Sequence, residues 1–192
     1  MKLILASASP RRAEVLRAAG FHFQALSSAV DETPIPGESP RDMVSRLALA
    51  KANLVAARAL GPAIVLAADT VVELEGRTLG KPRSTDDARA MLEQLSGRTH
   101  AVHTGVALIR LPGAEHREAV ETTLVSFARL EREDILEYLA SGEPFDKAGA
   151  YAIQGRAGRF ITRIQGCYFN VVGLPLARVD SLLRELGWSE AS

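Results

Sequence analysis

The sequence predicts an α/β protein with a mixed β-sheet and flanking helices, folded as one domain. Three observations carry this expectation. A chain of 192 residues with 47% hydrophobic side chains can bury one sizeable core. Apolar runs of strand length alternate with segments at helical spacing, and one pair of alternating segments reads as a hairpin.

The elements follow in order. Lys2 to Ala6 reads as a buried strand. Ser9-Pro10 then starts a helix, with Ser9 as N-cap and Pro10 at the first helical position; Leu16 and Ala19 continue its apolar face and Gly20 ends it. Phe21 to Leu26 reads as a second strand, and Asp31 to Ser39, with two prolines and a glycine, as a loop. Ser39-Pro40 repeats the cap signal, and Met43, Val44, Leu47, Leu54 and Val55 recur at helical spacing up to Gly61. The continuous apolar run Ala63 to Ala68 predicts a central strand buried on both faces; Asp69-Thr70 interrupts it and Val71 to Leu74 resumes it before the Glu75-Gly76 turn. A helix follows from about Thr85 to Leu95, ended by Gly97. Thr99 to Arg110 and Ala119 to Phe127 alternate as an antiparallel pair, Glu131 to Ala140 is helical, Arg159 to Ile164 is a short strand, and Pro175 to Leu186 is a closing helix.

Composition excludes several classes. With 23 basic against 23 acidic residues the formal charge is zero, which argues against a dedicated nucleic-acid or membrane-surface binder, since such proteins draw affinity from a net basic field. A polyanionic ligand needs a local basic cluster instead. The single cysteine, Cys167, has no partner for an internal disulfide and no His or Lys beside it, so it reads as an inert thiol in a reducing compartment. The apolar run after Met1-Lys2 is shorter than the ~7–15 residues of a signal peptide, and no window approaches the ~18 apolar residues of a membrane span. These features predict a cytoplasmic protein.

Four places could carry chemistry. Ser7-Ala8-Ser9-Pro10-Arg11-Arg12 puts hydroxyls and two guanidiniums between a strand end and a helix N-terminus, where backbone N–H groups and the helix dipole favour an anion. The plainer reading is a capped surface helix with solvated arginines. Asp69 follows an apolar run, where a carboxylate is costly unless the strand opens into a crevice; the plainer reading is a loop cap. Only four of the 23 basic residues are lysine, namely Lys2, Lys51, Lys81 and Lys147. Lys81 and Lys147 lie in glycine-containing loops where an ammonium could meet a phosphate, although chance retention explains the lysines equally well. Gln154, between apolar and glycine residues, could read a base edge or form a polar turn. GxxxxGK[ST], GxGxxG, HExxH and paired CxxC motifs are all absent. His100 and His103 resemble a metal pair, but residues three apart on a strand point to opposite faces, so they read as structural. Any metal here would be a hard cation such as Mg²⁺ on Asp69, Glu32 or the ligand's own phosphates.

Taken together, SASPRR at 7–12, AADTVV at 67–72, LGKP at 79–82 and DKAGAYAIQG at 146–155 resemble the Maf-like nucleoside triphosphate pyrophosphatases. Weaker agreement at Met91-Leu92, Leu95-Ser96-Gly97, Thr104-Gly105-Val106 and Val172-Gly173-Leu174-Pro175 extends the likeness along nearly the whole chain. The resemblance implies one inosine-triphosphatase-like domain over residues 1–192, an elongated mixed sheet with a cleft between two lobes, and a divalent cation, Mg²⁺ or Mn²⁺. It makes Asp69 the general base and an acidic metal position together with Glu32. It also places Ser7, Arg12, Lys51, Lys81 and Lys147 near the phosphates or cleft. Arg11, Thr70 and Gln154 fall where the family distinguishes substrates, and all three match the branch acting on dTTP and UTP.

The reaction implied is attack of water on the α-phosphorus, with release of a monophosphate and pyrophosphate. Such a reaction could clear modified pyrimidines from the nucleotide pool. A nucleoside triphosphate is the expected partner, nucleic acid and membrane are not, and a homodimer is compatible with the family. Two rivals stay open: the same chemistry on 7-methyl-GTP or another modified nucleotide, and a non-enzymatic nucleotide-binding regulator of cell division.

Overall fold

The computed structural model describes residues 1–189. In chain order its elements are β1 (Lys2–Ala6), α1 (Pro10–Ala18), β2 (Gln24–Leu26), α2 (Pro40–Ala56), β3 (Ala63–Leu74), β4 (Arg77–Leu79) and α3 (Thr85–Leu95). There follow β5 (Thr99–Leu111), β6 (Glu115–Phe127), α4 (Arg132–Ala140), β7 (Ile161–Gln165), α5 (Tyr168–Val172) and α6 (Leu176–Glu185), with tight 3₁₀ turns at 143–146, 148–150 and 156–160. Seven strands form one sheet in the order β2-β1-β3-β5-β6-β7, with β4 paired to β3. β1 runs parallel to both β2 and β3, with Leu3 opposite Ile64, whereas β4 lies antiparallel to β3 and β7 antiparallel to β6. This is the mixed α/β sheet that the sequence predicts. No described helix is long and apolar enough to cross a membrane.

Several local expectations are corrected. Helix α1 stops at Ala18 and Ala19 is exposed, because the amides of Gly20 and Phe21 turn back onto the carbonyls of Arg17 and Leu16. That turn, and the stacking of Phe21 on Trp188 at 5.4 Å, leave only Gln24–Leu26 for β2. Ser9 occupies the N-cap position, but its side chain makes no capping bond; its amide instead donates to Ser7 Oγ at 3.2 Å. β3 is not interrupted at Asp69-Thr70 but runs unbroken for 12 residues. β7 begins at Ile161 rather than Arg159, since the chain before it is coiled as a 3₁₀ turn. The sequence pattern gives no signal for helix α5, whose Asn170 is fully buried and donates to Val102 O and Thr123 Oγ1, both at 3.0 Å.

The chain divides into two compact units. The first comprises Met1–Asp69, Thr104–Glu121 and the stretch from Gly173 onward; the second comprises Thr70–His103 and Thr122–Val172. In the first unit, Ala63, Val65 and Ala67 on one face of β3 pack with Ala48, Ala52 and Val55 of α2, joined by Ile4, Ala6, Ala107 and Ile109. The alanines bring helix and sheet close together. Gly105 of β5 marks how close: a Cβ there would stand 2.2 Å from the carbonyl oxygen of Val44 in α2. In the second unit the core holds Phe127, Tyr138, Tyr151 and Phe160 among aliphatic residues. His100 lies edge-on to Phe127 and Tyr151, with Nε2 2.8 Å from the Tyr151 hydroxyl. Its Nδ1 is buried with no hydrogen-bond partner among the described residues, and burial holds the imidazole down to about 4.

Two outcomes follow from this packing. Gly105→Ala forces a methyl against a helix backbone that cannot yield, so it should cost ~1–3 kcal/mol or more and lower Tm by roughly 2–4 °C per kcal/mol. A Tm within a degree of the parent would contradict the close packing of α2 on β5. His100 is neutral in the native state, whereas an exposed imidazole takes up a proton below about 6.5. Unfolding is therefore favoured progressively as pH falls from about 6.5 to 4, by up to roughly 3 kcal/mol from this residue. Denaturant titrations across that range should show a shallower loss in His100→Gln; equal slopes would sink the assignment.

Candidate active site

Along β3 the side chains alternate, so the face carrying Ala63, Val65 and Ala67 toward α2 carries Asp69 next. Lys51 lies on the buried face of α2, among Ala48, Ala52 and Val55. Helix and strand therefore bring an ammonium and a carboxylate together inside an apolar layer, where each would be costly alone. Lys51 Nζ donates to Asp69 Oδ1 and to Glu32 Oε1, both at 2.6 Å. Lys51 and Asp69 are 7% and 8% exposed, whereas half of the Glu32 side chain faces solvent. The bond from Lys51 is what allows β3 to continue through a carboxylate.

The SASPRR segment adds cationic and hydroxyl groups to the same unit. Arg12 Nε donates to the carbonyl of Gly173 at 2.8 Å, and Nη1 donates to Ser7 Oγ at 3.2 Å, so the guanidinium plane is fixed by a backbone oxygen and a buried hydroxyl. Burial pushes Arg12 below its ordinary value and the Arg11 charge adds to this, while Asp69 and Glu32 oppose it. A guanidinium remains charged throughout. Arg11, next in sequence, is half-buried. Ser7, Arg12, Glu32, Lys51 and Asp69 are thus joined by direct hydrogen bonds or by the mutual influence of their charges.

Thr70 begins the second unit's share of β3 and is partly buried, on the strand face opposite Asp69. Lys81 is exposed beside the buried Pro82. Its loop is tied to the 146–151 segment by Gly149, whose amide donates to Gly80 O at 3.0 Å. Gly149 has φ +69°, and a Cβ there would meet Val72 at 3.0 Å, so both backbone shape and space call for glycine. Lys147 Nζ is held by the carbonyl of Glu143 at 3.0 Å and by the carboxylate of Asp146. Gln154 is exposed at a turn in which the Gly155 amide donates to Ala152 O at 3.1 Å.

The histidines fall on opposite faces as expected. His100 pairs with Tyr151, and His103 contacts Thr122 Oγ1 at 2.9 Å and Glu73 Oε2 at 2.6 Å. Among the described residues there is no group of three or more His, Cys, Asp or Glu that could hold a metal. A hard divalent cation, however, commonly takes only one or two carboxylates, completing its shell with phosphate oxygens and water. Glu32 and Asp69 converge on a single cationic point, so this donor set fits a cation arriving with a triphosphate. Glu143 and Tyr138, which hold the turn around Gln154, gave no sequence signal: a glutamate in Gly142-Glu143-Pro144 reads as an ordinary turn residue.

Comparison with known proteins places the chain in a family. The family model for Maf-like protein matches residues 2–186. A dTTP/UTP pyrophosphatase of Symbiobacterium thermophilum is 52% identical over 187 residues, covering 97% of this chain and 95% of that protein. One of Pelotomaculum thermopropionicum is 48% identical over 188 residues, covering 98% of each. The Ham1 protein of Staphylococcus aureus is only 14% identical, yet it superposes with a TM-score of 0.52 over 97% of this chain and 100% of that one, and so shares the fold. With close relatives spanning almost their full length and a family match that takes in every residue of the site, the chain belongs to the Maf-like protein family.

Proposed function

We propose that this protein hydrolyses dTTP and UTP to the nucleoside monophosphate and pyrophosphate. The observation that carries the reading is Asp69, a buried carboxylate held by Lys51 beside the Arg12–Ser7 pair, in a chain about half identical to relatives named dTTP/UTP pyrophosphatase. Those names favour the pyrimidine pair over 7-methyl-GTP.

In the mechanism proposed, a water oxygen attacks the α-phosphorus, the bond from that phosphorus to the bridging oxygen breaks, and pyrophosphate leaves. Lys51 engages Oδ1 of Asp69, and Oδ2 is the oxygen assigned to accept the water's proton. Arg12, with its plane fixed by Ser7 and Gly173, offers donors to a phosphate, and Lys81 and Lys147 neutralise phosphate charge. A divalent cation, which Glu32 and Asp69 would hold, supplies further charge neutralisation when bound. Arg11, Thr70 and Gln154 are assigned to the base. A cytoplasmic setting belongs to the same proposal and is supported by the single free cysteine. Association as a homodimer rests on the family resemblance alone.

Pyrophosphate release over a panel of triphosphates tests the substrate class; stepwise orthophosphate release, or turnover of ATP in preference to dTTP and UTP, would refute it. Asp69→Asn, nearly isosteric but unable to accept the proton, should lower kcat by ~10²–10⁴ while nucleotide binding is retained. Recovery of normal turnover at saturating metal would make Asp69 chiefly a ligand. Gln154→Glu should lower kcat/KM for UTP about tenfold or more, because two acceptors cannot pair with uracil's adjacent ring N–H and carbonyl, and a bidentate pair carries ~1–3 kcal/mol of discrimination. Unchanged kcat/KM for both dTTP and UTP would remove Gln154 from base reading.

A further inference from the structure

Glu143 has no part in the reaction described, yet both its carboxylate oxygens are engaged. Oε1 accepts from the Tyr138 hydroxyl at 2.8 Å, and Oε2 accepts from the backbone N–H of Arg156 at 3.0 Å. Tyr138 is 1% exposed, and its oxygen accepts in turn from the amide of Ala152 at 3.2 Å. Chain positions 152 and 156 are therefore both tied to one phenol–carboxylate pair, and Gln154 lies midway between them. Burial and the adjacent carboxylate push the Tyr138 phenol well above its ordinary value, so it stays a donor through the neutral range.

Gly155 records the same approach. Its φ of −104° suits any residue, but a Cβ there would stand 2.2 Å from Glu143 Oε1. The carboxylate itself, rather than the backbone conformation, calls for glycine next to Gln154. The carbonyl of Glu143 also accepts from Lys147 Nζ at 3.0 Å, so one residue braces both the 152–156 turn and a lysine assigned to phosphate.

We propose that Glu143 is a positioning residue for base selection, which together with Tyr138 fixes the turn that presents Gln154. The proposal rests on the reading of Gln154 as the base reader. Uracil and cytosine exchange donor and acceptor at neighbouring positions, and a carboxamide satisfies either one by flipping. Rejection of CTP therefore depends on how firmly the amide is oriented, and a site must be held within about 0.5 Å of its working geometry to orient it.

The test is the ratio of kcat/KM for UTP to that for CTP, read by pyrophosphate release from the full chain with saturating Mg²⁺. Glu143→Ala should lower the ratio about tenfold, and Gly155→Ala, whose methyl displaces the carboxylate, should do the same. The double variant should be no worse than either alone, and Glu143→Gln should recover most of the discrimination. Tyr138→Phe, which keeps the buried ring, should give a smaller loss and carries the test if Glu143→Ala folds poorly. A merely structural role would lower both rates together and leave the ratio unchanged. Gln154→Ala serves as the control. If it collapses the ratio while Glu143→Ala, Gly155→Ala and Tyr138→Phe all leave it intact, the positioning role is overturned. If Gln154→Ala leaves the ratio intact, base reading by Gln154 falls, and the role of Glu143 falls with it.

Discussion

The ammonium of Lys51, set between the carboxylates of Asp69 and Glu32, is the interaction on which the first unit depends. A carboxylate inside a 12-residue strand and a lysine on the buried face of a helix would each be severe faults in isolation. Together they let β3 pass unbroken through Asp69, the proposed base. Reaching this geometry requires α2 to lie close to the sheet. The alanines at 48, 52, 63 and 67 and the glycine at 105 supply the room. Placement of the Lys51–Asp69 pair and core packing are thus one constraint in this unit, and a methyl group added at position 105 acts on both.

The second unit uses backbone rather than buried charge. Its lysines are carried on short loops held by carbonyl oxygens: Gly80 O receives the Gly149 amide, and Glu143 O receives Lys147. The segment from Tyr138 to Asp146 serves as a brace, with its phenol and carboxylate fixing the chain on either side of Gln154. Rigid support of an exposed amide is what recognition of a base edge needs, since the amide itself has two equally good orientations.

Much of this was legible in the sequence. The run Ala63 to Ala68 signals the central strand and Ser39-Pro40 the start of α2, while the four motif segments hold Ser7, Arg11, Arg12, Asp69, Thr70, Lys81, Lys147 and Gln154 but not Glu32 or Lys51. Other features were not legible, for physical reasons. Asp69-Thr70 looked like an interruption because the compensating charge on Lys51 lies 18 residues away in sequence and joins it only in three dimensions. β2 is shorter than the apolar pattern suggests because Phe21 stacks on Trp188 rather than extending the sheet. Glu143 carries no sequence signal because its bonds reach residues 138 and 156, which no local pattern encodes.

The coupling of Lys51 to Asp69 is tested most directly by a double-mutant cycle in folding stability. Lys51→Met leaves Asp69 buried without its cation, and breaking such a pair typically costs ~3–5 kcal/mol. In Lys51→Met/Asp69→Asn the uncompensated charge is gone as well, so denaturant unfolding should show the double variant to be more stable than Lys51→Met alone, with a coupling energy of at least ~0.5–3 kcal/mol. Losses that simply add would mean that the two side chains do not depend on each other, and the account of how β3 accommodates Asp69 would be wrong.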